Sequence, residues 1–137
     1  MPNAISAVAE RRLLQGAIAI AALVPVTAGL AVMVAGPAGL IPDARGAGTD
    51  VDSHMRYLSG LLFAIGLAFW STVPRLESHG PRFRLLACLV FVGGLGRLAS
   101  LILVGLPSAG MIAALVMELV VTPLLALWRE RTEGLVR

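Results

Sequence analysis

The chain has no lysine, one cysteine and two histidines among its 137 residues, and only 14% of them are charged. A lone cysteine cannot close an internal disulfide. Cys88 stands in an apolar run with Ala87, Leu89 and Val90, so a disulfide scaffold and a Cys-rich metal site are excluded and a role as a small core hydrophobe is expected. His54 and His79 give neither the three or four ligands a metal needs nor a helically spaced pair for haem. Aromatics make up 5% of the chain, so the formal charge of +3 comes with few side chains to stack on bases, and nucleic acid is not an expected partner. There is no Walker sequence, no nucleophile elbow, and no nucleophile seen together with a base, so no catalytic site is evident. Runs of about ten strictly alternating residues are also missing, which excludes a β-barrel.

Apolar residues are abundant. They reach 58% of the chain, with a mean hydropathy of +0.88, which is outside the range of soluble domains. They fall into four runs, predicting helices over about 13–35, 55–73, 83–104 and 111–128 within one membrane domain spanning 1–137. The first run follows Glu10, Arg11 and Arg12 like a signal peptide. It is too long for one, since a signal core has about 7–15 residues and a span needs about 20. Helix is the natural way to satisfy backbone groups in lipid, so the expected fold is all-α, an integral membrane four-helix bundle of up-down topology.

The connections differ in kind. Residues 36–54 are rich in Gly, Pro and Asp and read as an outer loop folded back on the helices, while 74–82 reads as a short polar turn. The segment from Gly105 to Gly110 reads as a tight hairpin: Gly105 suits a helix C-terminus, Pro107 stops the helix, and Ser108 can cap the next. Arg11, Arg12, Arg75, Arg82, Arg84, Arg129, Arg131 and Arg137 lie on one side of the spans, against Arg45 and Arg56 on the other. The positive-inside rule then puts both termini in the cytoplasm of a bacterial inner membrane, with Trp70 and Trp128 at the inner interface and Tyr57 at the outer one.

Arg97 and Glu118 are the charges that lie well inside apolar runs. Each is seven residues from the hairpin, so at 1.5 Å per residue both sit roughly 10 Å below it, at matching depth on adjacent helices. An isolated charge at mid-bilayer costs about 2.5–3.5 kcal/mol, and pairing is the expected resolution. Small residues predict which faces pack closely: Gly110, Ala114, Glu118 and Thr122 on the fourth helix, Gly93 with Arg97 and Gly96 with Ser100 on the third, and Arg56, Gly60, Ala64 and Ala68 on the second. Asp52, read as a helix cap, joins His54, Arg56 and Tyr57 to extend a candidate polar cluster in the outer half. Pro25 and Pro123 free the carbonyls of Ala21 and Leu119 and predict kinks. The Arg97–Glu118 pair has two readings: an ion pair that fixes hairpin register, or a site for a ligand, a coupled ion or a partner.

The stretch from Asp52 to Gly60, continuing through Gly66-Leu67-Ala68-Phe69-Trp70 to Pro74-Arg75, then Gly94-Leu95-Gly96-Arg97-Leu98-Ala99-Ser100 and Met117-Glu118-Leu119-Val120-Val121-Thr122-Pro123, resembles a family of small uncharacterised bacterial four-helix membrane proteins. The resemblance covers roughly residues 10–130 and implies that Asp52, His54, Arg56, Tyr57, Arg97 and Glu118 are the polar set of interest. In helix number and size the chain is also similar to the DoxX-like membrane proteins, some of which are linked to quinone-dependent redox enzymes. Three functions are compatible with these features. The first is an accessory or structural subunit docking on other membrane helices, in a homo-oligomer or a hetero-complex. The second is a binder or transporter of a small amphipathic or anionic molecule at Arg97 and Glu118, since an arginine beside the carboxylate favours anion recognition over cation exchange. The third is a quinone-linked redox subunit. No cofactor is expected under the first, whereas quinone or lipid would be bound under the others.

Overall fold

The computed structural model describes residues 4–46 and 48–136, with side chains from Ser6 to Thr132 apart from residue 47. Arg137, counted above among the arginines of one side, lies outside the described residues. All regular structure among the described residues is helical, and four helical stretches are long and apolar enough to cross a membrane: Ser6–Ala35, Thr49–Arg75, Gly80–Leu103 and Ala109–Thr132.

The first stretch consists of α1 (Ala4–Ala21) and α2 (Leu23–Ala35), parted at Ala22. Pro25 accounts for the break, because it has no N–H for the Ala21 carbonyl and its ring crowds the preceding turn. The ladder resumes with Val26 N–H on the Ala22 carbonyl at 3.3 Å. α1 starts well before residue 13, since the Ala-, Glu- and Arg-rich lead-in has good helix formers. α3 (Thr49–Thr72) likewise begins earlier than residue 55, with Asp50 and Asp52 in its first turn, where carboxylates favour the positive end of the helix dipole. The outer loop therefore ends before Thr49 rather than at His54, and Asp52 lies inside the helix instead of capping it. The loop is built from two short 3-10 turns, Pro37–Gly39 and Pro42–Ala44, and folds back so that Gly39 lies against the Ala31 carbonyl.

α4 (Gly80–Leu103) has Pro81 in its first turn, where a missing N–H costs nothing. It stops at Val104, and Gly105 follows at φ +125°, a conformation that L side chains rarely adopt. α5 (Ala109–Val116) then begins. Ser108 stands at its N-cap position but its side chain makes no capping bond, so the cap expected of it is not formed. The chain next makes a π turn, Met117–Val121, before α6 (Thr122–Val136). Two features locate the π turn. Pro123 offers the ladder no N–H, and Thr122 puts both its N–H and its hydroxyl (2.8 Å) on the Met117 carbonyl five residues back.

The described chain falls into two compact units, one of residues 4–18 and 72–136, the other of residues 19–46 and 48–71. In the second unit α2 and α3 run antiparallel, with backbones close together at two glycines. A methyl added at Gly29 would lie 2.7 Å from both Phe63 N and Ser59 O, and one at Gly66 would lie 2.6 Å from Val26 Cγ2. Trp70 closes one end of this pair by donating to the Ala19 carbonyl at 2.9 Å. In the first unit α4 packs against the α5–α6 stretch, and the core is formed by Leu14, Ile18, Leu76, Phe83, Leu86 and Leu115. Most of the apolar surface is left outside. At most 22% of the most apolar part of any of the four stretches is buried within the chain, and Ile102, Leu103, Val104 and Leu106 at the hairpin tip are exposed. Cys88 is exposed too, rather than part of the core.

Gly29→Ala is expected to lose about 1–3 kcal/mol through backbone overpacking. Gly93→Ala, whose methyl would meet nothing within 4 Å, should leave stability unchanged or raise it by up to about 1 kcal/mol. Reversible unfolding in mixed detergent measures both, and equal losses would disprove the close approach of α2 and α3.

Candidate functional site

Arg97 on α4 and Glu118 in the π turn meet directly. Arg97 Nε donates to Glu118 Oε2 at 2.9 Å and Nη2 to Oε1 at 3.0 Å, the two-pronged geometry in which guanidinium and carboxylate match best. The third nitrogen, Nη1, lies 3.0 Å from the sulfur of Met111. The pair is largely enclosed, with side chains 31% and 17% exposed. Gly94, one turn before Arg97, makes the approach possible: a methyl there would meet Glu118 Cβ at 2.9 Å and Leu119 Cδ2 at 2.7 Å. Both Glu118 oxygens are engaged by the Arg97 guanidinium.

The close-packed faces differ from those the small-residue spacing predicts. Gly93 and Gly96 are exposed, and nothing lies within 4 Å of where a methyl at Gly93, Gly96 or Gly110 would stand. The α4 face that meets Glu118 is the one carrying Gly94 and Arg97, three residues apart, and the π turn inserts an extra residue that breaks the four-residue repeat from Gly110 to Thr122. No signal in the chain distinguished Gly94 from its neighbours, because adjacent glycines look alike until one helix face is chosen.

Arg56 and Asp52 belong to the unit formed by α2 and α3 and make a different arrangement. Arg56 Nε donates to Asp52 Oδ2 at 2.7 Å, one turn earlier, and Nη1 donates to the carbonyls of Met33 (2.7 Å) and Val34 (3.1 Å). These carbonyls belong to the last turn of α2, where no further N–H follows, so Arg56 caps that helix end with hydrogen bonds and a favourable charge. Gly36 leaves room for it. At φ +71° it adopts a glycine conformation, and a side chain would lie 2.6 Å from Asp52 Oδ1 and 2.8 Å from Arg56 Nη2. His54 and Tyr57, the other members of the candidate cluster, are exposed on α3.

A third arginine, Arg129 on α6, is 2% exposed. Its Nε and Nη2 donate to the Leu76 carbonyl at 3.0 and 2.9 Å, and Nη2 also reaches the Glu77 carbonyl at 3.5 Å. Gly80 admits the guanidinium, since a methyl there would lie 2.6 Å from Nη2. Around it Arg11 pairs with Glu77 (2.6 Å), Arg84 pairs with Glu130 (3.1 Å), and Trp128 Nε1 donates to Glu10 (3.1 Å). Sequence reasoning counted Arg129 only among the charges flanking the spans. A signal was present: Thr122, Leu125, Arg129 and Thr132 are spaced three and four apart, which puts Arg129 on one face with buried Thr132. Among the described residues no group of three or more His, Cys, Asp or Glu is placed to hold a metal ion.

These features define an all-helical protein with four stretches of membrane-crossing length and composition, carrying an Arg–Glu pair between two neighbouring stretches. The chain belongs to a family described as a domain of unknown function (DUF4345), whose family model matches residues 13–129. No curated protein and no solved structure matches it, so the likeness to DoxX-like proteins in helix number has no match behind it.

Glu118→Leu, which leaves the Arg97 guanidinium enclosed without its carboxylate, is expected to cost about 3 kcal/mol. The double variant Arg97→Leu/Glu118→Leu should be milder than this single change, because both charges leave together; a loss equal to the sum of the two singles would show the residues to be uncoupled. Arg129→Met should lower the unfolding midpoint well below that of Arg75→Met, since it strips the Leu76 carbonyl of its donors whereas Arg75 is exposed.

Proposed function

We propose that this protein is a multi-pass protein of the bacterial inner membrane, with both termini cytoplasmic, acting as a non-catalytic subunit or assembly partner in a larger membrane complex. The observation that carries this reading is the closed Arg97–Glu118 pair. A carboxylate with both oxygens held by one guanidinium has its charge balanced inside the chain, and suits a device that locks α4 to the π turn. The four stretches leave most of their apolar surface outside the chain, which suits lipid and the helices of other subunits or copies. The arginine imbalance between the two sides supports the orientation.

A second reading rests on Met111. Among the described residues Arg97 Nη1 has a thioether as its partner, a weak acceptor that a small anionic or amphipathic molecule would displace while Glu118 stayed in place.

Membrane residence is tested by carbonate washing: the chain should stay in the pellet, and release into the wash would refute it. The subunit reading is tested by mild-detergent purification from native membranes followed by mass spectrometry. A stoichiometric membrane partner, or a stable multimer of the chain, is the expected result, whereas a monodisperse monomer would overturn it. Glu118→Gln should lower stability while leaving small-anion uptake into vesicles unaffected. A stably folded Glu118→Gln protein that loses an uptake activity shown by the wild type would favour the second reading.

A further inference from the structure

We infer that the arginine-rich end of the unit containing α4 and α6 binds the phosphodiester headgroup of an anionic phospholipid. This rests on membrane residence but not on the subunit role. The end is organised around a shallow pocket lined by Arg11, Leu14, Leu76, Glu77, Arg129 and Thr132. These residues come from α1, the turn after α3, and α6, so separate stretches of chain meet there. The described acidic side chains at this end are already engaged. Glu77 holds Arg11 at 2.6 Å, Glu130 holds Arg84 at 3.1 Å, and Glu10 accepts from Trp128 at 3.1 Å. Arg129 is turned inward onto main-chain carbonyls.

Three of the exposed arginines at this end stand next to the pocket in the chain. Arg12, Arg75 and Arg131 are exposed, and none has an acidic partner among the residues whose side chains are described. Each is adjacent in the chain to a residue lining the pocket: Arg11, Leu76 and Thr132 respectively. The internal pairs therefore hold three segments together and leave a positively charged end whose exposed Arg12, Arg75 and Arg131 have no acidic partner among the described side chains. Its matching ligand is a phosphate diester fixed at a membrane surface, where each additional basic residue raises affinity about five-fold. The apolar helical faces that continue from this end supply a path for acyl chains alongside the headgroup.

The test uses the purified full-length protein in neutral detergent, with phosphatidylglycerol, phosphatidylcholine or inorganic phosphate added, and reads thermal unfolding and lipid retained in native mass spectrometry. Phosphatidylglycerol should raise the melting temperature and be retained, and the other two should do neither. Arg12→Gln/Arg75→Gln/Arg131→Gln should melt as the wild type does without lipid, yet lose the phosphatidylglycerol-dependent rise, with retention falling about five-fold per arginine removed. Arg12→Lys/Arg75→Lys/Arg131→Lys should keep the rise and guards against misfolding of the glutamine variant. Equal stabilisation by phosphatidylcholine would overturn the inference, as would equal stabilisation by inorganic phosphate, which would make the site one for a soluble anion. Retention of the rise in the glutamine variant would also overturn it. A chain that stays in carbonate-washed membranes but shows no headgroup preference refutes this site alone and leaves membrane residence standing.

Discussion

Wherever a helix stops, its last carbonyls lack donors, and in surroundings with little water each one left unpaired costs more than a hydrogen bond repays. Arginine solves this problem twice in the structure. Arg56 donates to Met33 and Val34 at the end of α2, and Arg129 donates to Leu76 and Glu77 in the turn that precedes α4. In both cases a glycine clears the space: Gly36 beside Arg56 and Gly80 beside Arg129. Both helix breaks thus carry a guanidinium on main-chain carbonyls.

Arg97 differs because its partner is a carboxylate on another helix. Its position depends on the π turn, which in turn reflects Thr122 and Pro123: one directs two donors to Met117, and the other withholds one from the ladder. A local irregularity in backbone pairing thus sets where Glu118 emerges, and Gly94 lets α4 come close enough to receive it. These features position the pair, and the proposed structural use of it rests on that placement.

The arginines divide into those that hold the chain together and those left outside. Arg11, Arg56, Arg84, Arg97 and Arg129 have carboxylate or carbonyl partners within the chain. Arg12, Arg75 and Arg131 have none among the described residues, and they stand beside the residues that bring α1, α6 and the turn after α3 together. Counting charges along the sequence treats the two groups alike, yet they act on different partners: the first on the fold, the second on whatever lies at its surface.

Hydropathy and length alone were enough to read four apolar helices, because a stretch of that composition can satisfy its backbone only within itself. The matching depths of Arg97 and Glu118 were also legible, since helical rise and a short hairpin fix them without any knowledge of side chains. What the sequence could not show was rotation about each helix axis. Gly29, Gly66 and Gly94 form the close contacts, while Gly93, Gly96 and Gly110 do not, and the choice depends on which face each helix presents once packed. The inward turn of Arg129 and the capping role of Arg56 belong to the same category. Helical spacing does put Arg129 on one face with Thr132, but the partners of both arginines are main-chain carbonyls, which every residue carries, so which carbonyl each meets was decided only by the tertiary structure.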